Sequence, residues 1–210
     1  MKKGYFVTLE GCEGVGKSTQ LQFLKEYLKE TGQPAFFTRE PGGVEISEKI
    51  REIILNPRYT DMDGKTELLL YAACRAQLMK EKIIPALDRG ELVICDRFID
   101  STYAYQGYAR GLGLDNARKI NEYVAGEYMP DLTIFIDLSP DKSFRRLNNK
   151  VVADDRLEKE DISFHLRVYE GYKEAEKASL GRMVSIIPCE DKRKTFAKIL
   201  AELTKRGIVK

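Results

Sequence analysis

The chain has 210 residues, of which 43% are apolar and 32% charged, and its formal net charge is +2 at pH 7. This length suits one compact core, and we expect a single domain over residues 1–210. A net charge this small excludes a protein-wide electrostatic field strong enough to attract nucleic acid or an anionic membrane. We therefore expect small-molecule partners that bind at a local site.

The cysteines and the hydropathy pattern indicate a cytoplasmic protein. The residues Cys12, Cys74, Cys95 and Cys189 form no C-x-x-C pair, so we expect neither a zinc site nor a redox motif. We interpret all four as free thiols in a reducing compartment. No stretch approaches the roughly 18 apolar residues of a membrane span, and the amino-terminal residues lead straight into a strand pattern.

Short apolar runs rich in β-branched and aromatic residues recur along the chain. They predict strands at Tyr5–Glu10, Ala35–Arg39, Leu92–Asp96, Leu132–Asp137 and Met183–Pro188. Longer segments with helical periodicity lie between them. Near-continuous apolar strands that alternate with amphipathic helices predict an α/β fold of about five parallel strands with helices on both faces. A polar excursion at about 148–161 interrupts this pattern late in the chain.

The first predicted strand leads directly into a phosphate-binding loop. Residues 11–18 read GCEGVGKS, which fits G-x-x-x-x-G-K-[ST], and a helical pattern follows at once. Glycines let successive backbone N–H groups converge on phosphate oxygens at the start of a helix. Lys17 would reach the β- and γ-phosphates of ATP, and Ser18 would ligate Mg²⁺. The residues predicted to bind ATP are Gly11, Cys12, Glu13, Gly14, Val15, Gly16, Lys17, Ser18 and Thr19.

Other classes of protein with this loop fit less well. The nearest approach to the guanine-reading N-K-x-D of GTPases is NKVV at 149–152, which lacks the aspartate. The D-x-x-G match at 61–64 follows no predicted strand, so we interpret it as a turn. Motor and transport ATPases normally need a longer chain. The pattern therefore favours a small kinase.

Three charged residues lie at or just after the carboxyl ends of predicted strands. Arg39 ends the second strand, Asp96 ends the third, and Arg97 comes next. The carboxyl ends of parallel strands form the ligand-binding edge of an open α/β sheet. A guanidinium can hold phosphate oxygens bidentately, and a carboxylate here can hold Mg²⁺ directly or through water. These residues predict a second phosphate site beside the loop.

Four segments carry a resemblance to a known family. They are GCEGVGKST at 11–19, TREPGG at 38–43, LLYAACR at 69–75 and DRFIDSTYAYQG at 96–107. Together they resemble the thymidylate kinases, most closely the bacterial form. The resemblance implies a P-loop kinase fold built as a three-layer sandwich, and an enzyme that uses Mg²⁺ to transfer the γ-phosphoryl group of ATP to dTMP, giving dTDP and ADP for dTTP biosynthesis. Members of this family are usually homodimers.

The same resemblance implies roles for individual residues. Arg39 and Arg97 hold the acceptor phosphate. Tyr71 and Arg75, four residues apart and so on one face of a helix, stack on the thymine ring and donate to its O4. The remaining residues border the nucleotide: Thr102 and Gln106 the base, Tyr105 the 2′ position of the sugar, and Glu13 the 3′-hydroxyl and the metal. We expect Lys17, Arg39, Arg97 and Arg156 to be catalytic.

The lid at about 148–161 departs from the family pattern. The lid usually supplies several arginines, but counted back from Arg156 their positions hold other residues. Arg146 and Lys150 are possible substitutes, and we hypothesise that Arg156 is essential and Lys150 contributory. The acceptor phosphate is largely dianionic at pH 7 because its second pKa is about 6, so no general base is required. Histidine is a common general base, and none is needed here. We therefore interpret His165 as a surface or half-buried residue without a catalytic role.

Two alternatives stay open at this point. One is a kinase for another nucleotide or nucleoside, and dUMP in particular could serve as a substrate. The other is a nucleotide-binding regulatory module without turnover. The module is disfavoured because binding alone would not need a second phosphate site. The chain nevertheless has both acceptor-side arginines, together with Lys17, Ser18 and Asp96.

Overall fold

The structure is a computed structural model that describes residues 4–146 and 155–210. Its sheet has five parallel strands in the order β2-β3-β1-β4-β5. The strands span Phe6–Glu10 (β1), Ala35–Arg39 (β2), Leu92–Asp96 (β3), Leu132–Ile136 (β4) and Met183–Ile186 (β5). The predicted α/β class and the five predicted strands are confirmed. Three predicted boundaries ran one or two residues too far, at Tyr5, at Asp137 and at 187–188. Strand ends are rarely sharp, and the carbonyl of Tyr5 and the backbone N–H of Asp137 still bond to neighbouring strands.

Helices connect the strands. Their bounds are Lys17–Glu30 (α1), Glu45–Ile54 (α2), Gly64–Leu78 (α3), Ile84–Asp88 (α4), Ile99–Thr102 (α5), Leu114–Ala125 (α6), Pro140–Arg146 (α7), Ile162–Ala178 (α8) and Lys192–Lys205 (α9). Two π-helical segments, Met79–Ile83 and Tyr103–Ala109, continue α3 and α5. The D-x-x-G match at 61–64 leads into a helix, because Asp63 caps α3 by accepting from the backbone N–H of Lys65.

Alternate strand residues face opposite sides of the sheet and build two apolar layers. Val7 and Leu9 of β1 pack in one cluster with Leu24 of α1 and Leu203 of α9. Phe6 of β1 belongs to the other cluster. That second cluster also takes in Val93, Cys95, Phe135, Leu78 and Tyr172, which come from β3, β4, α3 and α8. The central strands are therefore buried on both faces, and the molecule has three layers as predicted.

The strand register brings charged residues to one edge of the sheet. Asp96 at the end of β3 pairs with Arg39 of β2 and with Leu9 of β1. The backbone N–H of Arg97 then donates to the carbonyl of Leu9 at 3.0 Å. Because β1 pairs with β3 on one side and β4 on the other, the chain connections diverge beside β1, which is where open α/β sheets bind ligands. The glycine-rich loop after β1 lies at this point.

Candidate active site

The glycine-rich loop adopts backbone conformations that its sequence permits. Gly11 has φ 145°, and a Cβ there would lie 2.9 Å from Cγ2 of Val15 and 3.0 Å from the carbonyl oxygen of Ile136. Gly16, with φ 101°, precedes α1 and leaves the first N–H groups of the helix without a side-chain cap. These groups and the helix dipole suit an anion.

Lys17 folds back over the loop. Its Nζ donates to the carbonyl oxygens of Gly11 at 2.9 Å and Cys12 at 3.2 Å, and the side chain is buried. Burial, followed by the neighbouring charge of Arg97, lowers the pKa of Lys17. Burial raises the pKa of the Cys12 thiol to about 12, so Cys12 contributes to the loop as a small apolar residue.

Residues 13–20 line a pocket that we name the loop pocket. Arg146 at the end of α7 also lines it, as do Cys189 and Thr195 on the far side. Of the residues predicted to bind ATP, Gly11 and Cys12 lie behind this surface and the others line it. The loop pocket therefore combines backbone N–H groups with three cationic side chains, those of Lys17, Arg146 and Lys192.

A second pocket, which we name the acceptor pocket, shares Glu13 with the loop pocket. It gathers residues from seven separate stretches of the chain. Those among the predicted substrate residues are Glu13, Arg39, Tyr71, Arg75, Arg97, Tyr105 and Gln106. Thr102 does not line it.

Arg97 joins the two pockets. Its Nη1 donates to the carbonyl oxygen of Gly11 at 2.9 Å and to Oη of Tyr172 at 2.8 Å, and its Nη2 pairs with Glu13. Burial opposes ionisation of Glu13, but the charges of Arg97 and Lys17 outweigh it and lower the pKa of Glu13 to about 2. The guanidinium of Arg97 is therefore fixed against the loop with an ionised carboxylate beside it.

A buried carboxylate, that of Glu10, helps to hold Arg97 in place. Glu10 at the end of β1 accepts from the backbone N–H of Phe98 at 2.7 Å, from Oγ of Ser101 at 2.7 Å and from Oη of Tyr172 at 2.9 Å. Burial, together with the charge of Asp100, raises the pKa of Glu10 to about 7. The bonds hold the chain after β3 and the tyrosine that contacts the guanidinium.

Arg39 lies at the mouth of the acceptor pocket. Its guanidinium pairs with Glu48, with Nη1 2.9 Å from Oε1, and the two side chains are 48% and 38% exposed. Because this ion pair is exposed, it is weak, and Arg39 can exchange it for an incoming phosphate. Arg39 also lines a shallow crevice that contains Ser18 and Asp96.

That crevice has the oxygen ligands that Mg²⁺ prefers. Oδ1 of Asp96 is buried and has no hydrogen-bond partner within residues 4–146 and 155–210. A buried carboxylate oxygen without a partner costs free energy unless a ligand satisfies it. Ser18 and Asp96 therefore have the chemistry that a magnesium ion would require.

The inner end of the acceptor pocket contains a buried arginine. Nε and Nη2 of Arg75 donate to Oε2 of Glu40 at 2.9 and 2.6 Å, while Nη1 donates to Thr102 at 3.0 Å and to Asn121 at 2.6 Å. The guanidinium also lies 4.9 Å from the ring centroid of Phe98. Thr102, expected to border a base, does not line the pocket and instead accepts a hydrogen bond from the guanidinium of Arg75. Tyr71 lies one turn away on α3, as its spacing predicts.

Arg156 lies elsewhere than expected. It is 5% exposed, and Nε donates to the carbonyl oxygen of Ile54 at 3.0 Å while Nη2 lies 2.5 Å from Oε2 of Glu67. It lines neither pocket. The physical reason is the buried carboxylate of Glu67, which requires cationic partners. Lys150, with the rest of 148–154 in the predicted lid, lies outside the described residues.

Sequence reasoning missed other residues that line the acceptor pocket. Arg51 on α2 donates from Nη1 to the carbonyl oxygen of Pro41 at 2.8 Å, and Ser101 lies beside Arg97. His165 also lines the pocket and is only 3% exposed, so its interpretation as a surface or half-buried residue was wrong. Its Nε2 has no partner in the described part of the chain, and burial lowers its pKa. No local motif marks these residues, although His165 falls on the apolar face of α8.

Comparison with known proteins gives a consistent result. A family model described as "Thymidylate kinase" matches residues 9–199. The thymidylate kinase of Geobacillus thermodenitrificans is 47% identical over 204 residues, which cover 97% of this chain and 91% of that protein. The thymidylate kinase of Bacillus licheniformis is 50% identical over 180 residues, 85% of each chain. The crystal structure of thymidylate kinase from Ehrlichia chaffeensis has a TM-score of 0.76 at 31% identity and covers 96% of this chain and 99% of its own.

Proposed function

The chain belongs to the thymidylate kinase family, whose members phosphorylate dTMP to dTDP with ATP, and we propose that its two pockets divide this reaction between them. ATP binds with its phosphates on the glycine-rich loop, and dTMP binds in the acceptor pocket with its phosphate toward Arg39 and Arg97. The reaction supplies a precursor for dTTP. One observation carries this assignment: Arg97 contacts the loop at Gly11 and lines the acceptor pocket as well.

The chemistry requires cations more than it requires a base. Two unit charges about 4 Å apart repel by roughly 4 kcal/mol at an effective dielectric of about 20, so two nucleotide phosphates meet only where cations offset them. Lys17, Arg39 and Arg97 provide three positive charges around the point where the pockets meet. The acceptor phosphate is a dianion at pH 7 and attacks without deprotonation. Catalysis then consists of positioning and charge stabilisation.

Magnesium belongs to the same proposal. Ser18 and Asp96 would hold the ion beside the loop, and the fit is supported by the buried, unpartnered Oδ1 of Asp96 in the described structure. When bound with ATP, the ion neutralises charge on the β- and γ-phosphate oxygens. Glu13, kept ionised by Arg97, lines both pockets, and we assign it to the sugar hydroxyl of the acceptor and to the metal.

The inner end of the acceptor pocket suits a thymine ring. Tyr71 offers a flat face, and burial with the nearby charge of Glu67 raises its pKa, so the phenol stays neutral. Arg75 can donate to O4, and its hydrogen bonds to Glu40, Thr102 and Asn121 hold the guanidinium in place. Tyr105 and Gln106 project from the π-helical segment Tyr103–Ala109 on the other side.

For Arg156 we propose a different role from the catalytic one that the sequence suggests. Its two side-chain bonds tie the second half of the lid to the end of α2 and to α3. Its backbone N–H adds a bond to the carbonyl of Leu55 at 3.1 Å. Arg156 would therefore anchor the carboxyl-terminal half of the lid, and Arg146, which precedes the lid and lines the loop pocket, would place a cation near the ATP phosphates.

Assembly and location follow from the resemblance. We propose a homodimer, and exposed apolar side chains at Ile46, Ile53 and Leu69 on α2 and α3 support a subunit interface there. Sedimentation equilibrium of the wild type and of Leu69→Lys tests this. No helix within the described residues is long and apolar enough to span a membrane. We propose that the enzyme acts in the cytoplasm.

The decisive experiment is a substrate panel. ADP release is measured with ATP, Mg²⁺ and, in turn, dTMP, dUMP, dCMP, dGMP and AMP. We expect dTMP to give the highest kcat/KM, with dUMP next because it lacks only the methyl group. Preference for a purine would refute the assignment of the base end of the pocket. Absence of turnover with every acceptor would revive the binding module.

A further inference from the structure

A fully buried carboxylate lies next to the acceptor pocket. Glu67 is 0% exposed and lies on α3 one turn before Tyr71, with Arg75 a further turn on, so the three share one face of the helix. Glu67 does not line the pocket itself. The family motif that includes Tyr71 and Arg75 begins two residues after it, at residue 69.

The carboxylate accepts hydrogen bonds from three side chains. Oε1 accepts from Nε2 of Gln106 at 2.7 Å. Oε2 lies 3.2 Å from Nη2 of Arg110 and 2.5 Å from Nη2 of Arg156. Two guanidinium groups thus balance its charge, as a buried carboxylate requires. Between two such cations Glu67 carries only lone pairs and has no hydrogen to donate.

This fixes the orientation of the Gln106 amide. A side-chain amide has a donor end and an acceptor end, and its orientation follows from the hydrogen-bond network. Because Glu67 can only accept, Nε2 of Gln106 must face it, and the amide oxygen is directed away from it. Gln106 is 1% exposed and lines the acceptor pocket, so its amide oxygen is the polar end left for a ligand there.

We propose that Glu67 is a positioning residue for base selection, because it makes Gln106 present an acceptor to the nucleobase. This rests on the proposed binding of dTMP in the acceptor pocket. Thymine offers a donor at N3 and an acceptor at O4, which match Gln106 and the guanidinium of Arg75. Cytosine offers an acceptor at N3 and a donor at N4, so both contacts would be mismatched.

The test uses 5-methyl-dCMP, which has the shape of dTMP but the hydrogen-bonding pattern of cytosine. The measured quantity is discrimination, the kcat/KM for dTMP divided by that for 5-methyl-dCMP. Glu67→Gln supplies a side chain that can donate or accept, so Gln106 is free to turn over. To avoid a buried unpaired guanidinium, Glu67→Gln is made together with Arg156→Met and compared with Arg156→Met alone.

We expect discrimination to fall at least about tenfold when Glu67→Gln is added to Arg156→Met. When Gln106→Leu is already present, adding Glu67→Gln should leave discrimination unchanged, since the two residues act as one unit. Arg110→Met, which removes another partner of Glu67 but leaves Gln106 bonded, should lower thermal stability without lowering discrimination. Unchanged discrimination in a folded Glu67→Gln enzyme, or an equal fall in the Gln106→Leu background, would overturn the proposal.

A second variant covers the case in which the double variant does not fold. Glu67→Asp keeps the charge for both arginines but withdraws the carboxylate from Gln106, and discrimination should again fall. If it does not, the proposal is wrong. Failure of the proposed function gives a different result, because the wild type would then not turn over dTMP at all.

Discussion

Nη1 of Arg97 lies 2.9 Å from the carbonyl oxygen of Gly11, so the residue that follows β3 is bonded to the first glycine of the phosphate loop. Arg97 has φ 68°, a left-handed conformation that few residues other than glycine adopt. That strain is offset by the bond from the next N–H, at Phe98, to the buried carboxylate of Glu10 at 2.7 Å. The fold thus holds the guanidinium of Arg97 where the loop pocket and the acceptor pocket meet.

Replacing Arg97 is expected to impair the chemical step. In Arg97→Lys the charge remains, but a single ammonium cannot contact Gly11, Glu13 and a phosphate with the geometry of a guanidinium. We expect kcat to fall about 100- to 1000-fold, the range seen when one preorganised donor to a transition state is removed. Coupled ADP release measures it. The control is Arg118→Lys on α6, whose guanidinium is at the surface, and which should leave kcat unchanged. Equal activity of both variants would remove Arg97 from the mechanism.

Arg39 is expected to act mainly in acceptor binding. Arg39→Ala should raise the KM for dTMP roughly 10- to 100-fold, since a hydrogen bond to a charged group contributes about 1.5–3 kcal/mol. Its effect on thermal stability should be small because the pair with Glu48 is exposed. Glu48→Gln is the matched control: it breaks the ion pair but leaves the guanidinium, so the KM should stay within about twofold. If both variants raise the KM alike, Arg39 serves only to hold the loop at Glu48.

The buried carboxylate of Glu10 predicts a pH dependence of stability. Burial and Asp100 raise its pKa from 4.5 to about 7 in the folded protein. The unfolded chain therefore loses this proton first, and the contribution of Glu10 to the free energy of unfolding is full below about pH 4.5 and is lost as the pH rises toward 7. The loss is about 3 kcal/mol at 1.36 kcal/mol per pKa unit. Glu10→Gln can keep its hydrogen bonds to Phe98, Ser101 and Tyr172 without titrating, so its Tm should fall less than that of the wild type between pH 5 and pH 8. Parallel Tm profiles would contradict this assignment.

The sequence predicted the positions of several candidate site residues where local pattern determines structure. The strand ends that carry Arg39, Asp96 and Arg97 meet at one edge of the sheet, because parallel strands bring their carboxyl ends together. The positions of Tyr71 and Arg75 follow from helical spacing alone.

The sequence did not reveal the surroundings of Thr102, Arg156 and His165, because tertiary partners determine those positions. The partner of Thr102 is Arg75, 27 positions away, and that of Arg156 is Glu67, 89 positions away. Such pairs form because buried charged and polar groups require partners, and no short sequence motif indicates which residues will pair. His165 became buried because two aromatic rings, Phe144 and Phe164, pack against it at 5.2 and 5.8 Å.

The role of Arg156 separates an anchoring contact from a catalytic one. Arg156→Met removes one of the two cations that balance the buried carboxylate of Glu67 and breaks the bond to the carbonyl of Ile54. Leaving a buried charge with too few partners costs about 3–5 kcal/mol, so we expect a clear drop in Tm. At a temperature well below that Tm, kcat should fall less than about tenfold, far less than for Arg97→Lys, because no phosphate contact is lost. Circular dichroism melting and ADP release on the same samples separate the two effects. If turnover instead slowed by about 100-fold or more while Tm stayed the same, Arg156 would contact the transferring phosphoryl group, as the sequence suggests. A residue that only anchors the lid must affect stability first.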